Sequence, residues 1–296
     1  MTDLPIEARD LAVRYGRKQV FGNVALSVPQ GSVYLLLGRN GEGKTSLVKC
    51  LLGHLPAASG QARLLGHDAW SQRRRAMEDV AYVPESPEFG GNVRVGEILR
   101  FLEGVRLGFD RTGVDERLSA LGISERSRCG SLSRGQKTQV ALTTALACRP
   151  RLLICDDPTL GLDAPARKQL LDRLIVELAE HETTFFLTTH DLATLGGLAD
   201  QIGILHRGAL GVDESADTLR GRFRRLTFAD EEAASAASQR VASMEPLSEP
   251  SGAWSKGTIV ARFEPDRLPP GVKASPLSLE EIFVALVDRE GEAARA

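Results

Sequence analysis

One stretch near the N-terminus, SVYLLLGRNGEGKTSLVKCLLGHL, constrains the possible fold more than any other part of the chain. Residues 32–38 form an apolar run that ends in glycine, which is typical of a β-strand buried on both faces. A glycine-rich loop follows, and residues 46–55 repeat apolar side chains at helical spacing. The stretch therefore predicts a buried strand, a tight loop and a helix, which together form one α/β unit.

The loop itself, GRNGEGKT at residues 38–45, matches the pattern G-x-x-x-x-G-K-[ST] without a gap. Its glycines allow backbone N–H groups to surround a phosphate, and the following helix adds its positive dipole end. We expect Lys44 to contact the β- and γ-phosphates of a nucleotide and Thr45 to offer its hydroxyl to Mg²⁺. The alternative is a flexible glycine loop with an incidental lysine, a match that arises by chance in roughly one chain in a hundred. The predicted nucleotide-binding residues of this loop are Gly38, Arg39, Asn40, Gly41, Glu42, Gly43, Lys44, Thr45 and Ser46.

A second apolar run, in LLICDDPTLGLD at residues 152–163, stops at two adjacent acids. Asp156 ends the predicted strand and is the natural partner for Mg²⁺, directly or through water. Asp157 stands beside it, where a carboxylate could orient or deprotonate an attacking water. Two acids after a strand can also simply cap the following turn, but the phosphate loop favours a catalytic site.

The order of patterns along the chain predicts two domains. Residues 1–30 alternate as antiparallel strands, residues 86–147 are mostly helical, and strand signals return at LLIC and TTFFLTT with an amphipathic helix between them. This alternation favours a parallel sheet with crossover helices. Composition changes near residue 219, so we divide the chain into residues 1–218 and 219–296. The second part fits a small separate domain or a partly ordered tail, and ends in a capped amphipathic helix.

Composition excludes several classes of protein. The net charge of −2 gives no support to nucleic-acid binding. The four cysteines show no CxxC pair, which favours reduced thiols in the cytoplasm. The N-terminus does not resemble a signal peptide, and no apolar run approaches the length of about 20 residues that a membrane helix needs. We therefore expect any membrane role to come through a partner chain.

Residues 131–163, SLSRGQKTQVALTTALACRPRLLICDDPTLGLD, resemble the signature and Walker B block of ABC transporter ATP-binding subunits. Further landmarks of that family follow in the right order over roughly residues 5–215. Tyr15 matches the aromatic residue that stacks on adenine, and Glu85 stands where the family usually has glutamine. Residues 160–163 match the D-loop, and His190 matches the switch histidine. Each of these alone would pass for a structural residue, but their common order makes coincidence negligible.

The resemblance implies a fold and a dimer. The implied fold is that of a P-loop NTPase: an α/β, RecA-like parallel sheet with N-terminal antiparallel strands, an inserted helical subdomain and a small C-terminal α+β domain. Two subunits would face head to tail, so that the signature of one covers the ATP bound to Lys44 of the other. Because the chain holds one set of motifs, it must pair with itself or with a similar subunit. The residues implied to cover the partner's nucleotide are Ser133, Gly135, Gln136 and Asp163.

The C-terminal extension, ending in SLEEIFVALVDRE, resembles those of two-component exporters and ABC-2-type systems. In such systems a separate integral membrane permease forms the pathway, and the ATP-binding subunit lies on the inner face of the membrane. The helical subdomain, with Glu85 at its entry, would receive the permease. Arg134 replaces the commoner glycine within the signature, from which we infer no loss of activity. Nothing in the sequence identifies the transported substrate.

The implied catalytic group raises a question about turnover. The family normally has glutamate where this chain has Asp157, and an aspartate reaches one methylene less far. The implied catalytic residues are Asp157, His190 and Glu85, and the implied Mg²⁺ ligands are Thr45, Glu85 and Asp156. We expect Asp157 to be competent but slow. Two alternatives remain at this point: a soluble regulatory ATPase without a membrane partner, and a hydrolysis-impaired subunit that pairs with an active one.

Overall fold

The computed structural model describes residues 4–106, 108–247, 258–264, 268 and 271–293. The chain forms two compact units, which we call the N-terminal unit, Met1–Asp213, and the C-terminal unit, Glu214–Ala296. Composition placed this boundary a few residues later, after residue 218.

Two sheets form most of the N-terminal unit. Their strands are β1 (Ile6–Tyr15), β2 (Lys18–Val28), β3 (Val33–Leu37), β4 (Ser59–Leu64), β5 (His67–Asp68), β6 (Val80–Val83), β7 (Leu152–Asp156), β8 (Thr184–Thr189), β9 (Gln201–His206) and β10 (Ala209–Ser215). The first sheet has the order β2-β1-β4-β5 and is antiparallel, and the second has the order β10-β9-β3-β8-β7-β6. Strands β9, β3, β8, β7 and β6 run parallel, which confirms the parallel sheet predicted from alternating strand and helix signals.

The central strands are apolar because helices or the antiparallel sheet can cover both of their faces. Every residue of β3, β7 and β8 is buried. Since the carboxyl ends of parallel strands meet at one edge, the loops that follow β3, β7 and β8 come together there. These are the phosphate loop, the acidic loop and the loop that carries His190.

Helices connect the strands. They are α1 (Lys44–Leu51), α2 (Arg73–Ala76), α3 (Val95–Val105), α4 (Arg111–Ala120), α5 (Arg134–Leu146), α6 (Ala164–His181) and α7 (Leu192–Leu195). Helices α3, α4 and α5 enclose a small core of their own, as predicted for the helical subdomain. Its buried apolar residues include Val95, Leu99, Val114, Leu118 and Val140.

A cluster of charged side chains around one buried carboxylate joins α4 to α6 within this unit. Glu177 on α6 is only 1% exposed, and its carboxylate pairs with Arg173 one turn earlier. The guanidinium of Arg117 on α4 and Nε2 of His181 each lie 3.8 Å from that carboxylate. Burial lowers the pKa of Arg173 to about 10 and also lowers the pKa of Arg117. We call these four residues the Glu177 cluster.

The C-terminal unit is a small α+β structure. It contains α8 (Ala216–Arg222), β11 (Arg224–Phe228), α9 (Glu231–Ser243), β12 (Thr258–Val260), β13 (Val272–Pro276) and α10 (Leu279–Ala293). The three strands form an antiparallel sheet in the order β12-β11-β13. The predicted cap of the last helix is confirmed, because Ser278 Oγ accepts a hydrogen bond from the Glu281 N–H and the Glu281 carboxylate accepts one from the Ser278 N–H.

Within the described part of the chain, no helix combines the length and the apolar composition needed to cross a bilayer. The four cysteines are all free thiols, as the sequence predicted.

Candidate nucleotide-binding site

The phosphate loop between β3 and α1 is shaped by glycine. Gly43 has a φ of +102°, and a Cβ there would lie 2.6 Å from Val20 Cγ1. A Cβ at Gly38 would lie 2.6 Å from the carbonyl oxygen of Leu205, so β9 leaves no space for a side chain. Glycine is therefore required at both positions by close packing, in addition to any approach of a phosphate.

Lys44 is held inside this loop. Its Nζ donates hydrogen bonds to the carbonyl oxygens of Gly38 at 2.6 Å and Arg39 at 3.3 Å. Burial lowers the pKa of Lys44, while the carboxylates of Asp157 and Asp156 act in the opposite direction. The loop thus keeps a poorly solvated cation where an incoming phosphate would meet it.

The side chain of Glu42 is turned to strand β9 and the turn that follows it. Its carboxylate forms a 2.9 Å hydrogen bond with His206 Nδ1 and accepts a 2.6 Å bond from the backbone N–H of Arg207. Glu42 therefore fastens the loop to the turn between β9 and β10. Any contact that it makes with nucleotide has to come from its backbone.

Asp156 ends β7, as predicted, and is 3% exposed. Its Oδ1 accepts a 2.5 Å hydrogen bond from the hydroxyl of Thr188 on the neighbouring strand. This bond fixes the orientation of the carboxylate at the edge of the sheet.

Asp157 lies beside it in an unusual backbone conformation. Its φ is +49°, a left-handed region in which aspartate and asparagine are enriched among the L-residues. Its N–H donates to both the carbonyl oxygen and the hydroxyl oxygen of Thr188, each at 3.0 Å. The backbone thus favours a short polar side chain at this position, a feature the sequence pattern did not reveal.

The carboxylate of Asp157 is paired with the histidine that the sequence singled out. Its Oδ2 lies 2.5 Å from His190 Nδ1. Burial raises the pKa of Asp157, whereas the hydrogen bond to His190 and the charge of Lys44 act to lower it. A carboxyl group with a raised pKa and a histidine partner is suited to accept a proton from water.

Tyr15 lies at the end of β1 with its ring half exposed, at 50%. Its hydroxyl is 3.4 Å from Ser46 Oγ, which brings it to the phosphate loop. An exposed ring at this position can stack on a base. Tyr15 pairs with Lys18 in the β1–β2 hairpin. Lys18, Gln19 and Val20 therefore line the same cavity as Tyr15. These three residues were not predicted, although the turn RYGRKQ contains Lys18 and Gln19 and was the available signal.

These side chains surround one cavity of about 550 Å³, which we call the nucleotide cavity. Its lining consists of Tyr15, Lys18, Gln19, Val20, Asn40, Gly41, Gly43, Lys44, Thr45, Ser46, Glu85, Asp156, Asp157, Leu160 and His190. Most of the predicted nucleotide-binding, catalytic and metal-binding residues are thus brought together. Gly38, Arg39 and Glu42 support the loop without lining the cavity.

The residues suit Mg²⁺ bound together with a phosphorylated substrate. Thr45, Glu85 and Asp156 offer hard oxygen donors to the same cavity. Among the described residues, no group of three or more His, Cys, Asp or Glu side chains could hold a metal ion by itself. The two carboxylates of Glu85 and Asp156 fit the preference of Mg²⁺ for one or two protein carboxylates plus substrate phosphates and water.

The signature residues lie around a different cavity, of about 360 Å³, which we call the signature cavity. Ser133 caps α5, since its Oγ accepts from the Gln136 N–H at 3.2 Å and Gln136 Oε1 accepts from the Ser133 N–H at 3.0 Å. Asp163 caps α6 by accepting from the Ala166 N–H at 2.9 Å. The lining of this cavity includes Ser133, Arg134, Gly135, Gln136, Gly161 and Asp163, and none of its described residues lines the nucleotide cavity.

Comparison with known proteins gives consistent matches. The family model described as ABC transporter matches residues 21–160. The bacitracin transport ATP-binding protein BcrA of Bacillus licheniformis is 32% identical over 223 residues, which cover 74% of this chain and 72% of that protein. The aliphatic sulfonates import ATP-binding protein SsuB of Pseudomonas entomophila is 33% identical over 233 residues, which cover 75% of this chain and 80% of the relative. A solved structure of the ATP binding subunit of an ABC transporter aligns with a TM-score of 0.66 and 28% identity, over 73% of this chain and 92% of its own.

The parallel sheet, the phosphate loop and the structural match define a P-loop ATP-binding domain with a RecA-like core. The chain belongs to the ABC transporter family, as one of its ATP-binding subunits. Members of this family bind and hydrolyse ATP. The family resemblance and the fold predicted from the sequence are therefore confirmed.

Proposed function

We propose that this chain binds Mg-ATP in the nucleotide cavity, hydrolyses it with Asp157 as general base, and drives a separate membrane permease. The observation that carries the proposal is the convergence of four ionisable side chains, one amine, two carboxylates and one imidazole, on one cavity. Lys44 supplies a buried cation, Asp156 an oriented carboxylate, and Asp157 a carboxyl group paired with His190. Such a set serves phosphoryl transfer, in which catalysis consists mainly of positioning and charge stabilisation.

In this proposal, different residues bind the phosphates, the adenine and Mg²⁺, and accept the proton of water. Lys44 and the N–H groups of the phosphate loop hold the β- and γ-phosphates, and Tyr15 stacks on adenine. Mg²⁺, held by Thr45 and Asp156 with Glu85, would neutralise phosphate charge. Asp157 accepts the proton of the attacking water, and His190 keeps its carboxylate oriented. Because the aspartate is short, we propose that the closed, ATP-bound state is long-lived.

We further propose that two subunits, forming a homodimer, close head to tail around ATP. Support comes from the separation of the two cavities within one chain. The nucleotide cavity lacks the signature groups Ser133, Gly135, Gln136 and Asp163, which lie around the signature cavity. A second copy would bring its signature cavity over the nucleotide, where the N-terminus of α5 faces the γ-phosphate.

The permease is the second proposed partner. A groove of about 480 Å³ lies in the N-terminal unit between β6 with its following loop and helices α3 and α5. Its mainly apolar lining includes Val80, Tyr82, Pro87, Phe89, Ile98, Phe101 and Ala141. Phe101 is 66% exposed, which is unusual for so large an apolar side chain. We propose that a segment of the permease occupies this groove, which places the subunit on the inner face of the cell membrane.

For the direction of transport we propose export. The support is the C-terminal unit, whose final helix resembles the extensions of two-component exporters. One relative is described as a bacitracin transport protein and another, at similar identity, as an import protein, so the proposal of export rests on the C-terminal unit.

The test combines assembly with turnover. We expect the purified chain to release phosphate only when both ATP and Mg²⁺ are present. Asp157→Asn should accumulate as an ATP-bound dimer in light scattering, because it closes but does not hydrolyse. Lys44→Ala, which loses the phosphate contact, serves as the control that should stay monomeric. A dimer of equal amount in all three proteins would contradict the proposal, and co-purification of a membrane protein from native cells would test the permease.

A further inference from the structure

Between β5 and β6, six consecutive residues, 70–75, are exposed on the surface of the N-terminal unit. We call them the arginine turn. Buried alanines attach both of its ends to the core, Ala69 at 2% and Ala76 at 1% exposure. The start of the turn is held by Asp68, whose Oδ1 accepts hydrogen bonds from two of its backbone N–H groups, at 3.1 Å and 2.7 Å. A fixed backbone therefore presents the exposed side chains.

The first residue of this turn, Trp70, is 57% exposed, which is unusual for so large an apolar side chain. The backbone of the turn packs directly against the end of α1, where a Cβ added at Gly53 would lie 2.1 Å from the carbonyl oxygen of Ala69. Arg73 Nε also donates a 3.1 Å hydrogen bond to the carbonyl oxygen of Leu52. Because this packing fixes the turn on α1, it also keeps the indole of Trp70 at the surface.

The segment that contains the turn is basic. Residues 49–77 carry a single acid and five basic residues, which gives a formal charge of +4 in a chain whose net charge is −2. The acid is Asp68, and the basic residues are Lys49, Arg63, Arg73, Arg74 and Arg75. None of these five cations forms an ion pair with another residue that the structure describes. Their charges are therefore available to a partner outside the chain.

This basic surface lies beside the groove proposed for the permease. Met77 and Glu78, which follow the turn closely, line that groove. The ring of His54, after α1, lies edge-on to the ring of the groove residue Tyr82 at 6.4 Å. The acids Glu78 and Asp79 line the groove itself, so the positive charge lies next to the groove rather than within it.

We propose that the arginine turn contacts the headgroups of anionic phospholipids. Lipid phosphates accept charge-assisted hydrogen bonds from Arg74 and Arg75, and Trp70 lies at the boundary between headgroups and acyl chains, where tryptophan is enriched. An acidic protein segment would also supply negative charge, but a membrane surface matches the cations, the exposed indole and the neighbouring groove together. This inference rests on the proposed function, because the permease is what brings the groove to the membrane.

The test measures sedimentation of the full chain with vesicles over a range of lipid concentrations. The vesicles contain either phosphatidylcholine alone or phosphatidylcholine mixed with the anionic lipid phosphatidylglycerol. We expect binding to the mixed vesicles only, and weaker binding as salt screens the charges. Arg74→Gln combined with Arg75→Gln should weaken binding by about 25-fold, at roughly fivefold per basic residue. Binding should shift tryptophan emission to shorter wavelength, and Trp70→Phe should abolish this shift.

Lys168→Gln combined with Arg240→Gln is the matched control. It removes the same charge from exposed cations on α6 and α9, neither of which lines the permease groove. This pair should leave vesicle binding unchanged. None of the substituted residues lines the nucleotide cavity, so Mg-ATP hydrolysis without vesicles should be equal in all variants.

Equal binding to both kinds of vesicle, or equal weakening by the two pairs of substitutions, would overturn the lipid contact. Unchanged vesicle binding by the arginine pair, with loss of a co-purified membrane protein, would overturn it as well and assign the turn to the permease. A chain that does not hydrolyse Mg-ATP would instead contradict the proposed function.

Discussion

Asp157 and Glu177 are both carboxylates that the fold buries, at 8% and 1% exposure, and each has a basic side chain beside it. They differ in what lies on the remaining side. Asp157 forms part of the wall of the nucleotide cavity, so water and substrate can reach it. Glu177 is enclosed by Arg173, Arg117 and His181.

Burial alone therefore does not distinguish the proposed general base, Asp157, from the carboxylate of an enclosed ion pair. At Asp157 burial raises the pKa, and this favours proton transfer. At Glu177 two guanidinium groups compensate the charge, and the cluster holds a helix of the subdomain against a helix of the core. Access to the nucleotide cavity distinguishes the chemical role proposed for Asp157 from the structural role of Glu177, and each of the following variants tests that distinction.

The largest expected effect is on hydrolysis in Asp157→Asn. Losing the general base should lower kcat by about 10²- to 10⁴-fold. Because burial raises the folded-state pKa of Asp157, its charged form opposes folding above the unfolded-state pKa, so the neutral asparagine should not lower the melting temperature at pH 7. Phosphate release and thermal unfolding give the two readouts. Turnover within tenfold of the unaltered protein would refute the assignment.

Glu177→Gln should lower folding stability and leave hydrolysis almost unchanged, which is the opposite of the result expected for Asp157→Asn. It leaves Arg117 and Arg173 as partly buried, uncompensated cations, which costs about 3 kcal/mol of folding stability. Urea unfolding measures this loss, and kcat per folded molecule should change little because the cluster does not line the nucleotide cavity. Asp172→Asn, an exposed carboxylate on the same helix, is the control and should shift stability by less than about 0.5 kcal/mol. An equal loss in both variants would show that the Glu177 cluster has no special role.

Asp157→Glu should separate the effect of side-chain length on turnover from the effect of the left-handed backbone on stability. The longer side chain should raise turnover by up to about 100-fold, since a displacement of about 1 Å can change the rate by that factor. The left-handed backbone at φ +49° tolerates glutamate less well, so stability should fall by about 1 kcal/mol. The turnover number measured by steady-state hydrolysis should therefore rise, while the free energy of unfolding measured in urea should fall. Equal or lower turnover would contradict the idea that aspartate limits the rate.

The smallest expected effect is a shift in pH dependence. Asp157 must be ionised to accept a proton, and burial raises its pKa. Activity should therefore fall as the pH decreases through this raised pKa, at a higher pH than an ordinary aspartate would give. The profile of kcat/KM against pH measures this limb. The residual activity of Asp157→Asn should not show this decrease at low pH. If the same decrease persists in that variant, another group is responsible for it.

The sequence predicted the parallel sheet, the phosphate loop and most of the nucleotide cavity because these depend on local patterns. Apolar runs that end in glycine or aspartate identify buried strands, and the strand ends then meet at one edge. The positive φ of Asp157 and the contact of Arg134 with Ser86 depend on packing between distant loops, so no local pattern carried them. The Glu177 cluster had a signal that was missed: Glu177 continues the buried positions of Leu170 and Leu174 at helical spacing.

The anchoring of Glu42 to the turn after β9 has a further consequence, for the rate of nucleotide capture. A loop that is already fastened through His206 Nδ1 and the Arg207 N–H loses little conformational freedom when phosphate arrives. We therefore expect ATP to associate without a slow rearrangement of the binding loop, at a rate set by its collision with the cavity. In the proposed cycle, we expect most of the time to be spent after ATP binds, in closing, hydrolysing and reopening.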